Sequence, residues 1–115
     1  MITDHRVLTV TEATFDAAVL QARLPVLVDF WAEWCPPCRW LEPVVEELAT
    51  EQAGRLLVAK VDADANPGLV RRYGTLALPS LLVFVDGVER ARIVGARPKG
   101  RLLAELAEFL DHRIQ

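Results

Sequence analysis

Cys35 and Cys38 are the chain's two cysteines, and they stand as Cys35-Pro36-Pro37-Cys38. Thiols at this spacing can exchange with a foreign disulfide: one thiolate attacks and the second cleaves the mixed disulfide that results. The same spacing makes a poor structural staple. A bridge here closes a loop of four residues, for which loop entropy gives roughly 2 kcal/mol, against about 3 for fifteen residues. Zinc is a second chemistry open to cysteines, but it takes about four ligands, and the two histidines, His5 and His112, lie near the chain ends. Two inert buried thiols are a third alternative. Against it, consecutive prolines at a strand–helix junction are expected to leave Cys35 at the surface.

Further residues near the pair could take part. Asp29 sits between Val28 and Phe30 in an apolar run. A carboxylate buried there is costly unless paired or protonated, so its pKa should rise. It could then take a proton from Cys38, directly or through a water. The alternative is an Asp turned to a solvated groove. Lys60 is the one charge inside Leu56–Val61, and it reads equally as a snorkelling edge lysine. Trp34 directly precedes Cys35 and is either core or a flat contact surface. Trp31 is expected in the core, and Trp40 in half-exposed packing off the Leu41/Val44/Val45/Leu48 stripe.

The elements that position these residues follow from pattern. Arg6–Val10 reads as a first strand. Thr11 can cap a helix whose apolar residues Phe15, Ala18, Val19 and Ala22 recur at helical spacing. Val26–Ala32 is nearly continuous apolar sequence, as in a strand buried on both faces. A helix should start beside Cys35, where unpaired backbone N–H groups and the dipole favour a negative sulfur. Cys38 falls one turn in, on the same face, as the less exposed thiol. Cys35 is therefore expected to attack and Cys38 to resolve. Pro36 and Pro37 fit the first turn, and Pro43 should kink the helix by removing one hydrogen bond.

Arg55–Val61 reads as the next strand, parallel to the one before it across a right-handed crossover. Asn66–Tyr73 fits a short helix with Pro67 at its start and Gly74 past its end. Ser80–Val85 and Val88–Val94 flank Asp86-Gly87, a strong hairpin signal. Pro98–Arg113 is amphipathic, with Leu102, Leu103, Leu106, Phe109 and Leu110 on one face. The order β-α-β-α-β-α-β-β-α makes an α/β fold with a mixed sheet and helices on both faces.

Composition narrows the function. At 115 residues the chain is expected to form a single domain over 1–115. Hydrophobic residues are 52%, enough for a core. The net charge of −3 offers no basic excess to bind nucleic acid or an anionic membrane. No apolar run approaches the roughly 20 residues of a membrane span, and no secretory signal is visible at the N-terminus. A reducing cytoplasm is the expected setting, where a lone CxxC reads as redox-active. No G-x-G-x-x-G fingerprint is present, so no cofactor is expected and electrons must come from another protein.

Trp31-Ala32-Glu33-Trp34-Cys35-Pro36-Pro37-Cys38-Arg39, with Asp29 before it and Pro43 after it, resembles the thioredoxin family. The resemblance continues through Lys60-Val61-Asp62, Leu78-Pro79-Ser80, Asp86-Gly87 and Val94-Gly95-Ala96. It implies a single-domain thioredoxin-like fold, a central five-stranded mixed sheet flanked by four helices. It implies a protein-disulfide reductase that acts on disulfide-containing proteins and is recycled by a thioredoxin reductase, with a monomer expected. Under it Asp29 is the buried acid that serves Cys38, and Lys60 its tuning neighbour. Trp34, Pro36, Pro37, Leu78, Pro79, Gly95 and Ala96 form the substrate-contacting surface. The resemblance also implies a cis bond before Pro79, which leaves the Leu78 backbone open beside Cys35 to pair with an extended substrate. Gly95 reads independently as a turn or bulge. Pro36 in place of the usual Gly, Ser80 in place of Thr, and the apolar Leu76-Ala77 depart from the family pattern and bear on potential and substrate preference. Two other functions fit parts of the sequence: a thioredoxin-like oxidase or isomerase of exported proteins, and a binding subunit whose redox turnover is incidental.

Overall fold

The computed structural model describes residues 6–110. Its frame is a five-stranded sheet in the order β1-β3-β2-β4-β5. The strands are β1 (Val7–Thr9), β2 (Val26–Trp31), β3 (Leu57–Asp62), β4 (Ser80–Val85) and β5 (Val88–Val94). β2 lies at the centre, parallel to β3 and antiparallel to β4. β1 runs parallel to β3, and β5 antiparallel to β4. The mixed sheet expected from the sequence is therefore present.

Strand parity decides which residues meet which helices, since alternate side chains point to opposite faces. Leu27, Val58, Leu81 and Val83 face α1 (Pro36–Glu51) and α3 (Lys99–Leu110), where Leu41, Val45, Leu48, Leu102 and Leu106 cover them. Val26, Val28, Phe30, Ala59 and Val61 face the other way, onto Phe15, Val19 and Leu69 of α2 (Pro67–Tyr73). The same alternation puts Asp29 and Trp31 on the α1 side with Leu27, and Lys60 there with Val58.

The first helix differs from expectation. Asp16–Leu20 is a π-helical segment, closed by Gln21 N–H donating to the Asp16 carbonyl at 3.1 Å. Over five residues the i, i+4 pair Phe15 and Val19 shares a face in either helix type, so periodicity does not distinguish them. The cap is also reversed: the Thr11 N–H donates to Thr14 Oγ1 at 3.0 Å. Counting this segment, four helices flank the sheet. At the β4–β5 turn Asp86 and Gly87 both take positive φ, 52° and 79°, as a two-residue hairpin requires. Gly87 also passes close to the backbone of Leu20, where a Cβ would lie 2.9 Å from its carbonyl oxygen.

Among the described residues no helix is long and apolar enough to cross a membrane. The far end of the last predicted helix, His5 and His112 lie outside the described residues.

Candidate active site

α1 begins where β2 delivers the chain. Cys35 is its N-cap, in extended conformation, and Pro36 and Pro37 fill the first two helical positions. Neither proline has an N–H to offer. The next amide, that of Cys38, donates to Cys35 Sγ at 3.3 Å. Cys35 and Cys38 are joined as a disulfide with their Cα atoms 5.3 Å apart, an ordinary separation for such a bond. The bond counts against the alternative of two inert thiols. α1 continues unbroken through Pro43.

The expected difference in exposure between the cysteines is absent in this oxidised form. Each is only 3% exposed, so Cys35 is not at the surface as anticipated. Ala32, Trp31 and Leu78 pack around the pair. Pro36 and Pro37 are exposed in front of it.

Leu78 packs against the pair, and the Leu78–Pro79 bond is cis. Pro79 is buried and precedes β4. Its carbonyl accepts from the Gly95 N–H at 2.8 Å, which ties the end of β5 to the same loop. Gly95 has a φ of 97°, a conformation that favours glycine, and Gly95 and Ala96 are half-buried.

Trp34 is 66% exposed and so is not part of the core. Its indole N–H donates to Asp64 Oδ2 at 2.8 Å. Asp64 lies in a turn held by Asp62 Oδ1, which accepts from the Asp64 and Ala65 amides. An open groove of about 310 Å³ runs from Trp34 past Asp64 and Val70 to Thr75, Leu76 and Leu78. Leu76, at 88% exposed, is the most open large apolar side chain at its rim. Trp31 departs from expectation: it is half-buried, because parity turns it to the α1 side beyond the core stripe. Trp40, at 58% exposed, is by contrast half-exposed as expected.

Behind the disulfide is a cavity of about 110 Å³ lined by Asp29, Trp31, Cys38, Glu42 and Lys60 among others. It has room for several waters. Asp29 is 4% exposed, and among the described residues its Oδ1 has no hydrogen-bond partner. Burial pushes its pKa from the ordinary 3.8 up to about 7; nearby Lys60 lowers it and Glu42 raises it. Lys60 stands beside Asp29 in the β2–β3 register. Its Nζ is 3.5 Å from Glu42 Oε2 and 5.2 Å from the centre of the Trp31 ring. Lys60 is thus neither at a sheet edge nor free in solvent.

The structure brings Leu78 against Cys35 and Cys38, sets Trp34 and Leu78 in one groove, and puts Asp29 and Lys60 with Cys38 around one cavity. Sequence reading overlooked Glu42 and Asp64. Glu42 is four residues after Cys38, hence on the same helix face, and that spacing could have found it. Asp64 is thirty residues from Trp34, and nothing local signals the contact. Among the described residues no group of three or more His, Cys, Asp or Glu side chains is placed to hold a metal.

The family model described as Thioredoxin matches residues 6–108. A thioredoxin of Mycobacterium bovis is 50% identical over 103 residues, covering 90% of this chain and 89% of the relative. A thioredoxin of Mycolicibacterium smegmatis is 46% identical over 112 residues, 96% of this chain and all of the relative. A bifunctional thioredoxin reductase/thioredoxin of Mycobacterium leprae is 46% identical over 103 residues, 90% of this chain but 22% of that protein.

Proposed function

The chain belongs to the thioredoxin family and is a thiol–disulfide oxidoreductase that reduces protein disulfides, and from that premise we propose how its own residues divide the reaction. In the reduced protein the Cys35 thiolate attacks a substrate disulfide. A Cys35–substrate sulfur bond forms, and the first substrate thiolate leaves. Cys38 then gives its proton to Asp29, directly or through water in the shared cavity, and its thiolate attacks Cys35 Sγ. The Cys35–Cys38 bond forms as the Cys35–substrate bond breaks. Two electrons have passed to the substrate, whose two thiolates take protons from Asp29 and solvent.

One observation carries this assignment: Cys35 is the N-cap of α1, and its sulfur accepts the first available amide of the helix. A thiolate there faces the positive end of the dipole. Cys38 instead lines the cavity with Asp29, where a base can reach it.

The exposed Trp34 and the groove to Leu76 and Leu78 support reading this face as the docking surface for disulfide-containing proteins. We read Pro36, Pro37, Gly95 and Ala96 as further parts of the substrate-contacting surface. The Leu78 backbone, presented by the cis bond, would pair with an extended substrate segment. The relative that carries a reductase in the same chain supports a thioredoxin reductase as electron donor. We take the setting to be cytoplasmic, and we read the chain as a monomeric single domain.

The test is insulin reduction driven by dithiothreitol. Turnover is expected in the unaltered protein and loss of turnover in Cys35→Ser. A binding subunit with incidental redox chemistry would show no catalysis in either.

A further inference from the structure

Lys60 is Asp29's neighbour in the sheet, but the ion pair of its ammonium is with Glu42 on α1, at 3.5 Å. The Trp31 ring lies on the same side, 5.2 Å away. Asp29, Cys38, Glu42 and Lys60 all line one cavity. We propose that Glu42 is a positioning residue for the resolving step: it holds the Lys60 ammonium toward α1, keeps it from closing on the Asp29 carboxyl, and leaves that carboxyl able to take the Cys38 proton. This inference rests on Asp29 being the proton acceptor.

A lysine that closes on a buried carboxylate satisfies its oxygen, holds it ionised and makes it a weaker base. Asp29 Oδ1 shows no such partner among the described residues. Glu42 works against ionisation of Asp29 in two ways, by competing for the ammonium and by its own negative charge. The direction of its influence on Asp29, opposite to that of Lys60, agrees.

The other charged groups at the cavity are Glu33 ahead of α1, and Arg39 and Glu46 on it. Arg39 and Glu33 pair with each other at 3.8 Å and are largely exposed, so solvent screens them. β4 places the apolar Leu81 opposite Asp29, and β1 contributes Val7. Asp62, next along β3 on the Lys60 side, is engaged by the Asp64 and Ala65 amides. Glu42 is thus the acid in contact with the Lys60 ammonium, whose residue is Asp29's neighbour in the sheet. It is itself half-exposed, so its substitution leaves the packed core intact and its effect is of moderate size.

The experiment titrates the Asp29 carboxyl carbon by NMR in the oxidised protein, where neither cysteine titrates. Unaltered protein, Glu42→Gln, Lys60→Gln and the double variant are compared. Glu42→Gln is expected to lower the Asp29 midpoint by about half a pH unit. In the Lys60→Gln background the same change should have a smaller effect, because only the direct charge remains. The pH profile of mixed-disulfide resolution, followed in single-turnover mixing, should move the same way as the midpoint. An Asp29 midpoint unmoved by Glu42→Gln overturns the proposal and leaves the role of Asp29 standing. A midpoint that moves while the resolution profile stays fixed overturns the role of Asp29, and with it that of Glu42.

Discussion

The backbone N–H of Cys38 donates to the sulfur of Cys35 over 3.3 Å, and with prolines at both intervening helical positions it is the first amide α1 can offer. An N-cap side chain accepts from the second or third helical amide. Pro37 removes the former, and Cys38 supplies the latter. Pro36, at the first position, lies outside the donor set.

Pro36 therefore acts on the redox couple through chain stiffness and not through a lost donor. Compared with glycine it narrows the conformations of the reduced loop, so less entropy is lost on closing the bridge. Such a substitution is worth about 0.4–1 kcal/mol, or roughly 10–20 mV at about 30 mV per 1.4 kcal/mol. Pro36→Gly is expected to be the less reducing protein by that amount, measured by equilibration against glutathione. A more reducing Pro36→Gly variant would show that Pro36 strains the closed loop.

Asp29 makes stability depend on pH. The folded protein holds a proton at this carboxyl that the unfolded chain releases from pH 3.8 upward, until the folded group ionises near about 7. Stability from this group is therefore full below pH 3.8, falls as pH rises through the window up to about 7, and changes no further above it. The full loss is on the order of 4 kcal/mol. Asp29→Asn removes the charge, so urea unfolding of the oxidised proteins should show the variant gaining on the original between pH 4 and 7. Resolution of the mixed disulfide should slow in the same variant. Parallel stability curves for the two proteins would mean that Asp29 is ionised and solvated in the fold.

Much of this was legible in the sequence. The hairpin strands Ser80–Val85 and Val88–Val94 are found with the boundaries the pattern gave, because Asp86-Gly87 has few other conformations to adopt. The buried position of Asp29 follows from its place in an apolar run. Trp31 shows what pattern cannot supply: an aromatic in a central strand reads as core, but its burial depends on where α1 stops covering the sheet. The core stripe of α1 does not point to Glu42, which lies on the face that Cys38 shares. The cis bond at Pro79 has no local signature, since most X–Pro bonds are trans, and it was expected from family resemblance alone. The burial of Cys35 comes from tertiary packing that a strand–helix junction does not reveal: Ala32, Trp31 and Leu78 close around the pair.

Trp34 depends on Asp64 for its orientation. Loss of one exposed hydrogen bond is worth about 1 kcal/mol, a several-fold effect on binding. Asp64→Ala is expected to raise KM for a protein disulfide by that factor and leave the rate with a small aromatic disulfide unchanged. Equal losses with both substrates would place the effect at the thiol instead of the docking surface.

The division of roles between the two cysteines is tested most directly by trapping. Cys38→Ser is mixed with a protein disulfide at neutral pH, and the products are read by mass spectrometry without reductant. A stable adduct through Cys35 is expected, because attack survives and resolution is lost; Cys35→Ser should form none. An adduct that accumulates on Cys38 in Cys35→Ser, with none on Cys35 in Cys38→Ser, would contradict the assignment.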